Sequence, residues 1–198
     1  TEAIVPLVRK AVGPDVKLLV DANSGYTPGK AIAVGRMLED NGICHFEEPC
    51  PYWEYQWTKE VTDALDLDVT GGEQDCDLAL WRFMIDMRAV DVVQPDICYL
   101  GGINRTLKVA AMAKQAGLPV TPHSANLSLV TVFTLHLMGA LDNAGPYVEF
   151  SIEGPDYYPW QDNLYVPALV AEGGKVRIPD GPGWGVEIDR DWLAAASY

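Results

Sequence analysis

Asn41-Gly42-Ile43-Cys44-His45-Phe46-Glu47-Glu48-Pro49 is the stretch on which the fold turns. Gly42 can take the left-handed backbone that ends a helix. Residues 43–46 form a short run suited to a strand, and a glutamate pair followed by proline closes it. Working upstream, residues 27–41 carry helical periodicity, residues 17–20 (KLLV) read as a strand ending at Asp21, and residues 2–12 read as a helix. Downstream, helices are predicted over 55–65, 77–87 (with Asp77 as N-cap), 104–116 (halted at Gly117) and 127–141. Strands are predicted over 67–70, 89–94, 119–121 and 147–150.

Short strands alternating with helices predict βαβ units and a parallel sheet. The residues at the C-terminal strand ends say more. They are Asp21, Glu47, Glu73, Asp96, His123 and Glu149, at spacings of 26, 26, 23, 27 and 26. Any one of them reads as a helix cap or a solvated loop charge. Six in register read as one rim, because the C-terminal strand ends of a TIM barrel converge on a single mouth. A doubly wound sheet would also gather its strand ends. However, the sequence has neither GxGxxG nor GxxxxGK[ST], and Gly71-Gly72 and Gly101-Gly102 are too short to serve as phosphate loops.

The expected fold is therefore α/β: the C-terminal part of a TIM-type (β/α) barrel, with about six βα units in residues 1–150. Residues 151–198, rich in Pro, Gly and aromatics, are expected to form a tail with a hairpin at Gly173-Gly174, packing back on the barrel or a capping domain. A barrel has eight strands. The first two, and an N-terminal part needed to complete the barrel, are expected to lie outside this chain.

With 28 acidic and 14 basic residues, the formal net charge is -14. Such a chain repels phosphate backbones, so nucleic acid is not an expected partner. No apolar run approaches the ~20 residues that cross a bilayer, and residues 1–13 lack a signal-peptide pattern. A cytoplasmic protein without membrane contact is expected. Cys44, Cys50, Cys76 and Cys98 form no CxxC pair and read as reduced thiols.

The rim residues suggest a chemistry. Asp21, Glu47 and Glu73, on consecutive strand ends, suit a hard cation with oxygen ligands: Mg²⁺, with Mn²⁺ as its alternative. Without a cation three such carboxylates raise one another's pKa. Asp96 and His123 follow as a general acid/base pair, the carboxylate orienting the ring. Glu149 either hydrogen-bonds a substrate carboxylate or pairs with a lysine. His136 and His45 read as core histidines, although His45 shares a strand face with Glu47. Asn23, Ser24, Ser124 and Asn126 could bind hydroxyls at the mouth. The aromatic clusters around residues 52–57 and 157–160 read as loop or subunit-interface packing.

Val20-Asp21-Ala22-Asn23, Phe46-Glu47-Glu48-Pro49, Gly72-Glu73, Gln94-Pro95-Asp96, Gly101-Gly102-Ile103, Thr121-Pro122-His123 and the segment from Ile178 to Gly185 together carry a resemblance. The sequence resembles the enolase superfamily and, more narrowly, the mandelate racemase subgroup of the mandelate racemase/muconate lactonizing enzyme family. The resemblance implies that Asp21, Glu47 and Glu73 bind Mg²⁺, with Glu48 supporting them. It implies that Asp96 and His123 are the catalytic dyad and that Glu149 contacts substrate; Asn23, read above as a mouth residue, is the other expected substrate contact. The family's second acid/base lies on a barrel strand this chain does not contain.

The implied activity is abstraction of the α-proton of a small-molecule carboxylate through an enediolate. Dehydration of a sugar acid of the aldonate or aldarate type is expected, in a homo-oligomer. A racemase, epimerase or cycloisomerase using the same site is the rival within enzymes. A non-catalytic barrel fragment or partner subunit is the rival of another class.

Overall fold

The structure is a computed structural model that describes residues 1–160 and 163–195. The elements run α1 (Ile4–Val12), β1 (Leu19–Asp21), α2 (Pro28–Asp40), β2 (His45–Glu47), α3 (Tyr55–Ala64), β3 (Asp68–Gly71), α4 (Leu78–Asp86), β4 (Val92–Val93), α5 (Ile103–Gln115) and α6 (Leu129–Ala140). These are followed by β5 (Tyr165–Val166), β6 (Ala171–Glu172), β7 (Lys175–Val176), β8 (Glu187–Ile188) and α7 (Arg190–Ala195).

Helices alternate with strands for local reasons. Pro28 sits in the first turn of α2, where its missing N–H is not needed. Asp77 caps α4 by accepting from the backbone N–H groups of Ala79 and Leu80. Gly42 and Gly117, at φ +65° and +72°, follow the ends of α2 and α5 and let the chain reverse into the next strand.

Strands β1 to β4 form one parallel sheet in sequence order. Asp21 lies directly beside Glu47 in its register. Val120 extends the sheet by parallel bridges to Val93 and Ala144. Two expected strands are thereby shortened. Residues 119–121 pair only at Val120, because Pro119 and Pro122 on either side lack a donor. Residues 147–150 carry no ladder at all: the bridge falls earlier, at Ala144, and Pro146 follows it.

Two apolar layers hold the helices on the sheet. One joins Val34 and Leu38 of α2 and Val61 of α3 to Phe46 and Val69. The other joins Trp81 and Met84 of α4 and Val109 and Ala113 of α5 to Val93 and Val120. Phe46, Trp81, Val69 and Val93 are fully buried, so this interior sets the strand positions to which the rim is attached.

The tail has the expected hairpin, with β6 and β7 antiparallel across Gly173 and Gly174. It also contains an unforeseen antiparallel pair, β5 with β8, and the short helix α7. Tyr165 and Leu169 pack on Leu127, Val132 and Leu135 at the start of α6. Residues 161, 162 and 196–198 of the expected tail lie outside the described residues. Among the described residues no helix is long and apolar enough to cross a membrane.

Candidate active site at the strand ends

The sheet delivers its polar residues to one edge. Asp21 and Glu47 are the last residues of β1 and β2, and Glu73 stands two residues beyond β3. Asp96 follows β4 through Gln94-Pro95, and His123 follows the Val120 bridge through Thr121-Pro122.

The tightest contact is between Asp96 and His123. Asp96 Oδ2 and His123 Nδ1 are 2.8 Å apart. The other oxygen, Oδ1, accepts from the backbone N–H groups of Cys98 at 2.7 Å and Tyr99 at 2.9 Å. Burial alone would raise the Asp96 pKa. The hydrogen bonds from His123, Tyr99 and Cys98 outweigh it and hold the carboxyl below its usual range. The second ring nitrogen, Nε2, faces Glu73 Oε2 at 3.3 Å, and the ring of Tyr99 stacks on the imidazole with centroids 6.4 Å apart. Burial disfavours the imidazolium, yet Asp96, Glu73 and Glu149 together push the His123 pKa up to about 9.

The remaining carboxylates crowd the same region. Burial, with the charges of Glu47, Asp21 and Glu149, raises Glu73 to about 7 despite His123. Glu48 is raised to about 7 by burial and by Glu73 and Asp21. Loss of hydration raises Asp21 and Glu149 as well. Glu47 goes the other way: burial opposes its charge, but hydrogen bonds from His45 and Gln94 hold it low. Glu149 Oε2 accepts from the Ser124 N–H at 2.6 Å. Asn23, at φ +46°, folds back so that its N–H and side-chain amide both donate to Asp21.

A cleft of about 300 Å³ opens beside Glu47 and Glu149, with Gln94, Thr121 and Tyr147 on its walls. Two contributors were not foreseen in their roles. His45 is buried, as expected of a core residue, but it bonds Thr70 Oγ1 at 2.7 Å and sits 3.4 Å from Glu47 Oε2. The alternation His45-x-Glu47 was its signal. Gln94 shares a face with Asp96 in the same way. His136 donates through Nε2 to its expected backbone partner, the carbonyl of Trp184 at 2.9 Å, but is half-exposed rather than interior.

For a cation, the donor set is apt: three oxygen-bearing side chains on adjacent strand ends, two of them raised by burial with a smaller contribution from the neighbouring carboxylates. The side chains are turned elsewhere: Asp21 to Asn23, Glu47 to His45 and Glu73 to His123. Among the described residues no three His, Cys, Asp or Glu side chains are gathered closely enough to hold a metal.

The parallel α/β sheet thus carries an acidic rim and a His–Asp pair at its strand ends. The family model for the enolase C-terminal domain-like proteins matches residues 1–192, and the chain belongs to that family. It is similar to the arabinonate dehydratase of Saccharolobus solfataricus, at 33% identity over 183 residues, covering 91% of this chain and 47% of that protein. It is equally similar, at 33% over 198 residues, to the D-galactarolactone cycloisomerase of Agrobacterium fabrum, covering 96% of this chain and 51% of the relative. Among solved structures, a candidate racemase from Roseobacter denitrificans superposes at a TM-score of 0.94 with 66% identity, over 99% of this chain and 54% of that one. A mandelate racemase/muconate lactonizing protein from Paracoccus denitrificans, solved with magnesium, superposes at 0.89 with 33% identity, over 98% of this chain and 51% of that one. The chain thus spans about half the length of the relatives it matches.

Proposed function

We propose that this chain carries the metal-binding rim and one acid/base arm of an enzyme that abstracts the α-proton of a carboxylate through an enediolate, most simply a sugar-acid dehydratase acting on an aldonate or aldarate. The observation that carries the reading is the His123–Asp96 pair at 2.8 Å, set among the carboxylates of the rim.

Asp21, Glu47 and Glu73 would hold Mg²⁺, whose charge offsets the second negative charge that develops on the substrate carboxylate. The acid/base arm that this chain carries is built from its own residues. Asp96 fixes the ring through Nδ1, leaving Nε2 as the atom that takes or returns a proton. In the dehydration reading His123 either removes the α-proton or protonates the departing β-hydroxide. Glu149 and Asn23 face the substrate, and Glu48 supports the rim from below.

Proposed with this function are a barrel region at residues 1–150 and a packing tail at 151–198. Further strands, a capping domain and the second acid/base would come from sequence outside this chain. The half-length matches support that, as do the exposed apolar side chains of Ile4 and Leu7 on α1 and Leu19 on the edge strand β1. A homo-oligomer in the cytoplasm completes the proposal.

An isomerase is the second reading, favoured by the 33% identity to a cycloisomerase and the close superposition on a racemase candidate. Incubating the full-length protein with sugar acids and Mg²⁺ separates the two. The dehydratase releases water and forms a keto product; α-deuterium incorporation from D₂O without loss of water would refute dehydration. His123→Asn is expected to keep Mg²⁺ binding and lose turnover by about 10²–10⁴-fold.

A further inference from the structure

Below the rim lies a second pair of buried acids. Asp75 and Glu48 are each 4% exposed. Asp75 Oδ1 accepts from the Tyr55 hydroxyl at 2.5 Å, and its backbone carbonyl accepts from the Trp81 indole N–H at 2.9 Å. Among the described residues its other carboxyl oxygen, Oδ2, has no hydrogen-bond partner, and neither has Glu48 Oε1. Both residues line one small cavity of about 20 Å³, between Tyr55 of α3, Gly71 of β3 and Met84 of α4.

A buried carboxylate oxygen without a donor is costly. The cavity has room for a water molecule and two acceptors for its two hydrogens. Of its remaining walls, Cys50, Met84 and Val90 offer no strong donor; Tyr52, Thr58 and Thr70 also line it, with the Thr58 and Thr70 hydroxyls engaged by the Glu54 carbonyl and the His45 ring.

We propose that ordered water fills this cavity and donates to Glu48 Oε1 and Asp75 Oδ2, making Asp75 a positioning residue for the carboxylate rim. The proposal rests on the reading of Asp21, Glu47 and Glu73 as metal ligands. Glu48 Oε2 accepts from Ser24 Oγ at 3.3 Å, and the Glu48 carbonyl accepts from the Ser24 N–H at 2.8 Å. With water joining Glu48 to Asp75, one network braces the three segments that follow β1, β2 and β3. Asp21 and Glu47 immediately precede two of those segments and Glu73 lies within the third. Tyr55 and Trp81 anchor the brace to α3 and α4.

A crystal structure of the full-length protein, at a resolution that shows ordered water, tests the first half. Density within about 3.2 Å of both oxygens is expected. A direct Glu48–Asp75 contact, a cation in the cavity or an empty cavity would overturn it. Calorimetric Mg²⁺ titration tests the second half. Asp75→Ala is expected to bind Mg²⁺ about 10–100-fold more weakly than wild type while remaining folded. Asp75→Asn keeps an acceptor for Tyr55 and an amide for the cavity, and should recover most of that affinity. Wild-type affinity in Asp75→Ala would overturn the positioning role. Should Asp75→Ala not fold, Tyr55→Phe removes only the hydroxyl that fixes Asp75; a weakened Mg²⁺ affinity supports the role and an unchanged one overturns it. Failure of the wild-type protein itself to bind Mg²⁺ would defeat the rim reading, whereas the cavity water stands or falls on the crystal alone.

Discussion

Glu73 is shared between two chemistries. Its Oε2 lies 3.3 Å from His123 Nε2, and it is one of the three carboxylates proposed to hold a cation. A cation that takes Glu73 removes a negative partner from the imidazolium and adds a positive neighbour. Mg²⁺ should therefore lower the His123 pKa from about 9, measured by NMR titration of the ring protons. An unchanged value would separate His123 from the metal site. The same shifts set the pH dependence of the metal-free protein. His123 is raised from 6.5 to about 9, and Glu48 and Glu73 from 4.5 to about 7. In each case the folded state keeps its proton to higher pH than the unfolded chain does. The stabilisation is full below the unfolded values and is lost as pH rises through the folded ones. Metal-free melting temperature is thus expected to fall between about pH 4.5 and 9. Added Mg²⁺ should matter most at the upper end, where the carboxylates are ionised.

Among the elements, β3 and the turn after it leave little room for change. Gly72 sits at φ +109°, and a Cβ there would run into the Trp81 indole, whose N–H holds the Asp75 carbonyl. Gly72→Ala is expected to destabilise by about 2 kcal/mol or more, read as a lower melting temperature. Trp81→Ala, emptying a fully buried site in α4, should cost about 3–5 kcal/mol. Much at this scale was legible in the sequence. The boundaries of α2 and α4 follow from Thr27-Pro28 and from the Asp77 cap, and the rim follows from a residue recurring about once per βα unit. What was not legible depends on partners distant in the chain. The strand expected at 119–121 shrank to bridges at Val120 alone, because prolines leave few donors and the pairing depends on Asn143 and Val93. The bond from His45 to Thr70 joins β2 to β3, which no local pattern encodes. The β5–β8 pair brings together residues more than twenty positions apart without alternation strong enough to announce it.

For the molecule as a whole, the proposal is that an acidic chain gathers a cation so that anionic substrate can approach a rim of the same sign. Binding of Mg²⁺ to the folded state alone raises stability, by about 2.7 kcal/mol at a hundred times the dissociation constant. The full-length protein should therefore melt higher with Mg²⁺, and Asp21→Asn should respond less; equal responses would remove Asp21 from the site. The central claim is α-proton abstraction by His123 on a metal-bearing rim, and its most direct test is loss of the substrate α-proton signal in D₂O, followed by proton NMR on the full-length protein with a sugar acid that it turns over. The account predicts loss that requires Mg²⁺ and disappears in His123→Asn while that variant still binds the metal. Loss that persists without Mg²⁺, or in His123→Asn, would contradict it.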